Sequence, residues 1–302
     1  MTSTQVTEFE ALRPHLMAVA YRVTGTVADA EDIVQEAWLR WNAQERSTIA
    51  DLRAWLTTVV SRLGLDRLRS AAHRHETYTG NWLPEPVVTG FPGSQDADPL
   101  SAVVAREDAR FAAMVVLERL SPDQRVAFVL HDGFSLPFAD VADVLGTNEP
   151  AARQLASRAR KAVAAAPAPV PDPSHNEVVG KLMAAIASGD LKAVVALLHP
   201  DVTLTGDANG KAPTAINVIH GADKVTRFLF GLAQRYGPAM FTSYQLGMVN
   251  GELGAYTPGC PASDGYREMM PRIMAMTVRD GKVCALWDVA NPDKFTGSPL
   301  RA

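Results

Sequence analysis

Cysteine is almost missing from this chain: Cys260 and Cys284 are the two among 302 residues. Two thiols cannot build a disulfide scaffold, and their scarcity suits a reducing compartment. Long apolar runs are missing too, and none approaches the roughly 18 residues that a bilayer-spanning helix needs. The first ten residues are polar and acidic, unlike the basic-then-apolar pattern of a secretory leader. The expectation is a cytoplasmic protein without a membrane partner. An excess of one charge is also lacking. Residues 1–165 carry 17 Lys+Arg against 21 Asp+Glu, and residues 166–302 carry 12 of each. That balance excludes a uniformly basic nucleic-acid-binding surface. No internal repeat is present.

What the chain does have is length, and charge arranged in islands. A chain of 302 residues suits two or three modest domains. Residues 53–74 hold Arg53, Arg62, Arg67, Arg69 and Arg74 against Asp66 alone, and residues 150–161 hold Arg153, Arg158, Arg160 and Lys161 with no acid. Asp29, Glu31, Asp32 and Glu36 form an opposing acidic stretch. Two basic islands and one acidic patch point to several partners.

Two proline- and glycine-rich stretches divide the chain. Residues 76–100 break the helical periodicity, while Trp82, Leu83, Val87 and Val88 inside them have the apolar character of a docked segment. Residues 166–173, APAPVPDP, favour an extended, semi-rigid spacer. The expected segments are therefore 1–75, 101–165 and 174–302.

The first segment reads as helical, a bundle of three or four. Leu12, Leu16, Val19, Ala20 and Val23 recur at helical spacing, as do Ile33, Val34, Ala37, Trp38 and Trp41, and then Leu52, Trp55, Leu56, Val59, Val60 and Leu63. Trp55 is expected in the core. In the middle segment, Ser121-Pro122 reads as an N-cap followed by a first-turn proline, and Asp132-Gly133 as a stop. Ser135 is a candidate cap for a short helix carrying Phe138, Val141, Val144 and Leu145. Gly146 suits a left-handed helix end, and Thr147 or Asn148 opens a last, basic helix.

That short helix, tight turn and basic helix have helix-turn-helix proportions. In such a motif the second helix lies in the DNA major groove. Arg153 and Gln154 sit early in that helix, where they can reach base edges. Ser157, Arg158, Arg160 and Lys161 are placed for phosphates. A helical hairpin with a solvated basic face is the plain alternative. Asp29, Asp32 and Glu36 share one helix face, which is either solvated or a docking surface for a basic partner. No His or further acid completes a metal site there, so neither metal nor cofactor is expected.

Three blocks, taken in order, resemble the extracytoplasmic-function sigma factors of bacterial RNA polymerase. AYRVTGTVADAEDIVQEAWLRW (Ala20–Trp41) and DLRAWLTTVVSRLGLDRLRS (Asp51–Ser70) resemble parts of sigma region 2. LERLSPDQRVAFVLHDGFSLPFADVADVLGTNEPAARQLASRARKAV (Leu117–Val163) resembles region 4. The resemblance implies an all-α region 2 bundle over 1–75 and an all-α region 4 helix-turn-helix over 101–165. The implied partners are promoter DNA and core polymerase, through its β′ clamp helices and β flap. Asp29, Asp32, Gln35 and Glu36 would face the clamp helices. Arg53, Arg62, Arg67, Arg69 and Arg74 would serve the −10 element, with a pocket for an extruded base placed in the 44–52 loop. Arg153, Gln154, Ser157, Arg158, Arg160 and Lys161 would serve the −35 element.

WLPEPV (Trp82–Val87) and the tail resemble the subgroup that carries a C-terminal SnoaL-like domain. This implies a cone-shaped α+β domain of SnoaL/NTF2-like type over 174–302. Helices are expected over 177–188, 191–198 and 224–236, and strands over 241–249, 253–256, 272–278 and 282–289. Asp280-Gly281 reads as a hairpin turn. The tail motifs contribute Asp207, Asn209 and Lys211, and Asn291, Pro292, Asp293 and Lys294, which the resemblance places at a regulatory interdomain contact. Changing Asp207 or Lys211 is expected to alter activity without unfolding the domain. Asp207, His199, His220 and Asp288 are the candidates for an enzymatic base, but no paired group enforces a raised pKa, and a regulatory, non-enzymatic tail is the expectation. His199, before Pro200, reads as a helix-end cap, and Cys284 as a small core residue. A small-molecule ligand for the tail stays open, as does a polymerase-independent DNA-binding regulator for the whole chain.

Overall fold

The structure is a computed structural model that describes residues 3–44, 49–75, 78–91, 99–104, 109–165 and 172–301. Contacts divide the chain into two compact units. The first comprises residues 1–77, 97–109 and 113–168; the second comprises 78–96, 110–112 and 169–302.

The first unit opens with α1 (Ser3–Thr24), α2 (Val27–Ala43) and α3 (Leu52–His75). Their apolar stripes meet: Leu16, Val19, Val23, Val34, Leu56 and Val60 are fully buried. Trp55 is half-buried and therefore only partly fulfils the core expectation. Gly25, with φ of +81°, separates α1 from α2, and Thr26 caps α2 by accepting the Asp29 amide at 3.2 Å.

The same unit continues through α4 (Phe111–Leu117) from residue 113 onward, α5 (Pro122–Phe128), a π turn over Val129–Gly133, α6 (Phe138–Leu145) and α7 (Glu149–Ala165). Ser121 and Gln124 form a capping box at the start of α5, which satisfies two otherwise orphaned backbone groups. Ser135 is not a cap. It takes a φ of +59°, and α6 starts three residues later behind Pro137 without a side-chain cap. Gly146 ends α6 in the left-handed region at φ 65°, and Asn148 opens α7 by accepting the Ala151 amide at 3.0 Å. A buried arginine ties α5 to the end of α1. Arg125 donates through Nε to the Arg22 carbonyl at 3.0 Å and through Nη1 to Glu118 at 2.7 Å.

The second unit is α+β. Helices α8 (His175–Ser188), α9 (Leu191–Leu197), α10 (Ala222–Tyr236) and the single turn α11 (Ala239–Thr242) accompany one seven-stranded sheet. Its strands are β1 (Val88–Thr89), β2 (Leu198–Asp207), β3 (Ile219–His220), β4 (Gln245–Val249), β5 (Glu252–Thr257), β6 (Arg272–Arg279) and β7 (Lys282–Val289). Their spatial order is β1-β4-β5-β6-β7-β2-β3, with β2 parallel to β7 and all other neighbours antiparallel. Leu182, Val194, Leu204, Val225, Val283 and Leu286 lie in the core between helices and sheet. Asp280 and Gly281 take φ of +54° and +68°, the backbone that a two-residue hairpin between twisted strands requires.

The expected fold class is present: two all-α regions followed by an α+β domain. Three strands, β1, β2 and β3, were not anticipated. The strand expected from 241 begins at Gln245, because Pro238 and the following residues turn into α11. His199 lies within β2 and accepts the Asp201 amide at 3.1 Å, so it caps no helix. Cys284 is half-buried, and burial raises its thiol pKa. The anticipated docking of residues 82–88 takes a definite form, in which Leu83, Val87 and Val88 are buried within the second unit. Residues 166–171 of the spacer lie outside the described residues.

Gly146 would meet nothing with an added Cβ, so backbone strain alone resists substitution. Gly146→Ala should cost about 1 kcal/mol, read as a lower urea midpoint with an unchanged slope.

Candidate functional site

Residues of the second unit converge on one buried carboxylate. Asp207 ends β2 with no solvent exposure. Its Oδ2 receives Lys294 Nζ at 2.7 Å and the Leu83 amide at 2.8 Å, and its Oδ1 receives the Tyr78 hydroxyl. Lys294 is also buried; it donates to the Leu83 carbonyl at 2.5 Å and lies 3.4 Å from the centroid of the Trp82 ring. Asn291 donates to the Tyr78 hydroxyl at 2.9 Å and accepts the Asp293 amide, starting the 3-10 turn Pro292–Lys294 that carries Lys294. Asn209, at φ 47°, accepts the Thr79 amide at 3.2 Å. Lys211 pairs with Asp293, and both are largely exposed.

The clasp continues along the same segment. Glu85 is fully buried and accepts the Gly297 amide at 3.0 Å. Asn250 accepts the Val87 amide at 2.9 Å and donates its own amide to the Val87 carbonyl at 2.8 Å. Val88 and Thr89 then pair with β4. Backbone and side chains together hold 78–89 from end to end.

The other enzyme candidates do not form a catalytic set. Asp288 is buried and receives Arg272 Nη1 at 3.0 Å and the Thr214 hydroxyl at 2.7 Å. Burial works against the Arg272 charge, but neighbouring Asp288 keeps its pKa raised. His220 is exposed, His199 faces Arg279 at 3.4 Å, and neither lines the cavity that Asp288 lines. Among the described residues no cluster of three or more His, Cys, Asp or Glu could hold a metal.

In the first unit, α2 presents Asp29, Asp32, Gln35 and Glu36. Arg67 of α3 reaches back to Asp29 at 3.3 Å and Asp32 at 3.1 Å, and Glu36 pairs with Arg40 at 2.9 Å. Arg67 thus belongs with the acidic patch and away from the other α3 arginines. Arg62 pairs with Asp143 at 2.8 Å and Arg69 with Asp123 at 2.9 Å, while Arg53 donates to His15 at 3.2 Å. The Arg74 side chain and residues 45–48 of the anticipated base pocket lie outside the described residues. Helix α7 buries Ala152, Ala156 and Ala159 and exposes Arg153, Gln154, Arg158, Arg160 and Lys161, with Ser157 half-buried. Arg153 pairs with Glu149 and lies over the Phe138 ring; Arg160 pairs with Asp132 at 2.8 Å.

The chain matches Sigma-70 region 2 over residues 9–74 and Sigma-70, region 4 over residues 110–163. It is 75% identical over 300 residues to the ECF RNA polymerase sigma factor SigJ of Mycobacterium tuberculosis, covering 98% of this chain and 95% of that one. The chain belongs to the extracytoplasmic-function sigma factors. The probable sigma factor SigI of the same organism is 35% identical over 302 residues, covering 97% of this chain and 95% of the relative. The crystal structure of Mycobacterium tuberculosis SigJ superposes with a TM-score of 0.86 at 73% identity, covering 98% of this chain and 99% of that chain. The protein is therefore an alternative sigma factor for RNA polymerase, a non-enzymatic transcription factor family, and the relatives do not favour a polymerase-independent regulator. No helix among its described residues is long and apolar enough to cross a membrane.

Within this sigma factor, the two tail motifs named from sequence come together on the clasp. Tyr78, Glu85, Asn250 and the pairing of Arg272 with Asp288 were not anticipated. Tyr78 and Glu85 had one available signal, polar residues flanking a docked apolar segment. Burial also divides Asp207 from Lys211, which the sequence reading had grouped.

Asp207→Ala strands a buried lysine and should cost about 3–5 kcal/mol, whereas Lys211→Ala breaks an exposed pair and should cost under about 1 kcal/mol. Urea unfolding of the second unit would decide; equal losses would refute the distinction. Burial, then the bond to Asp207, raises the Tyr78 pKa above the ordinary tyrosine value. Its contribution is therefore full below about pH 10 and is lost as pH climbs through the folded value. Tyrosinate absorbance should show a late-ionising group that Tyr78→Phe removes.

Proposed function

We propose that this sigma factor binds core polymerase through α2, reads promoter DNA through α3 and α7, and is controlled in cis by the C-terminal domain through its clasp on residues 78–89. The observation that carries the reading is the arrangement of α7. Three alanines seat one face while Gln154, Arg158 and Lys161 stand exposed and have no ion-pair partner among the described residues. Such a row suits phosphates and base edges of a −35 element. On α2, Asp32 is 68% exposed at its side chain, and Gln35 beside it is exposed. Both are available to the basic side of the β′ clamp helices, with the β flap as the partner of region 4. The setting is cytoplasmic, and the C-terminal domain acts by holding the connecting segment and performs no catalysis.

Arg62 and Arg69 support a closed resting state. They are proposed for the −10 element, yet their present partners are carboxylates of α6 and α5. Promoter phosphates would have to displace Asp143 and Asp123. Exposed pairs of this kind are worth about 0.2–1 kcal/mol each, small enough for exchange.

Asn substitution at Asp123 and Asp143 should raise promoter affinity by up to about fivefold per pair removed, measured with core polymerase on a −10/−35 promoter. Unchanged or weaker binding would count against a closed state. Arg158→Ala and Lys161→Ala should weaken binding evenly across promoter sequences and reduce the salt slope by about one each. Transcription in vitro with sigma-free core polymerase tests the whole reading, and failure to initiate from any promoter refutes it.

A further inference from the structure

The π turn of the first unit does more than end α5. Its His131 ring stacks on Phe138, the first residue of α6, with centroids 3.7 Å apart and planes at 26°. The imidazole is itself fixed, because His131 Nδ1 donates to the Leu136 carbonyl at 2.9 Å; a carbonyl only accepts, so the proton sits on Nδ1. Ser135, at φ +59°, turns the chain between the two rings so that they meet. Arg153 of α7 lies over the same phenyl ring, its guanidinium carbon 4.5 Å from the centroid. A ring at stacking distance covers the face it touches, so Arg153 occupies the opposite face. Imidazole, phenyl and guanidinium are thus layered, drawn from the turn and both helices of the helix-turn-helix.

Packing alone does not call for this order. Phe138 is half-buried, and the Arg153 side chain is 59% exposed. The ion pair with Glu149, at 3.2 Å, engages one guanidinium nitrogen, and exposed pairs one helical turn apart hold weakly. What the ring supplies is direction. A guanidinium over an aromatic face is attracted by the ring's negative centre, while its N–H donors stay available along the edge. Those donors match O6 and N7 of guanine in the major groove. A free arginine loses rotamer freedom when it is ordered on a base; one already held loses less. Arg158 and Lys161 are exposed as well, and among the described residues neither has a ring beneath it.

We propose that Phe138 is a positioning residue for promoter specificity: backed by His131, its ring presents Arg153 for a bidentate contact with one guanine of the −35 element. This rests on the reading that α7 enters the major groove there. Phe138 acts through Arg153 and carries no charge, so removing its ring leaves the number of phosphate contacts unchanged.

The test measures promoter binding by the full chain with core polymerase, on promoters carrying each of the four bases at successive −35 positions. Arg153→Ala locates the guanine as the position where preference is lost. Phe138→Leu keeps an apolar side chain on α6 but removes the aromatic face. It should cut preference for that guanine by about two- to fivefold, with the other positions and the salt slope unchanged. It should have no further effect in the Arg153→Ala background. Phe138→Tyr restores the aromatic face and should restore the preference. A purely structural role would instead weaken all promoters alike and persist without Arg153, and that result overturns the proposal. Undiminished guanine preference in folded Phe138→Leu or folded Arg153→Ala overturns it as well. The unliganded wild-type chain gives a readout that needs no variant to fold: the Arg153 δ-methylene protons should be shifted upfield by the ring, and unshifted signals refute the stack. Wild-type protein that initiates with no preference at any −35 position overturns the α7 reading itself, and the positioning role with it.

Discussion

Everything in the second unit that concerns the connecting segment depends on the charge of Asp207. A carboxylate taken wholly out of water costs several kcal/mol unless its oxygens are fully engaged. Here the engagement comes from two places far apart in sequence, Tyr78 and Leu83 on one side and Lys294 on the other. Lys294 in turn needs Asp207, the Leu83 carbonyl and the Trp82 ring. No one member can leave without stranding a buried polar group on the others, which makes the arrangement cooperative. Glu85 and Asn250 repeat the logic further along, each meeting backbone that would otherwise be orphaned. The result is a strand edge extended by a segment that joins α3 to α4 in the chain.

The first unit uses charge differently. Arg62, Arg69 and Arg160 pair with carboxylates at the surface, where water screens each pair and little energy is at stake. In the function proposed above, such contacts are traded for phosphates. Arg125 is the exception: at 2% exposure it holds the Arg22 carbonyl and Glu118 from within. Permanence is thus placed in buried networks, and exchange in exposed ones.

Much of this was legible in the sequence where the determinants are local. Ser121-Pro122 and Gly146 mark helix ends because capping and left-handed backbone are decided within a few residues. Ser135 misled because a polar residue before an apolar run reads as a cap, whereas the chain there uses positive φ to redirect itself. β2 was missed because His199-Pro200 and the Gly206–Lys211 loop obscure the alternation of Val202 and Leu204. β1 and β3 have two residues each and carry no period at all. The Asp207–Lys294 pair spans 87 positions, and Arg272 meets Asp288 only through the register of β6 on β7. Resemblance to a family brought the two tail motifs together; it did not show that one of their two charged pairs is buried and the other exposed. The fold class was therefore readable, while the hierarchy among its charged residues required the packing.

The measurement that bears most directly on this account is amide hydrogen exchange of Leu83, Val87 and Val88 in the full chain. Their amides donate to Asp207, Asn250 and the Gly297 carbonyl. Protection comparable with that of amides in β6 and β7 is expected. Exchange at the rate of an unstructured chain would contradict it.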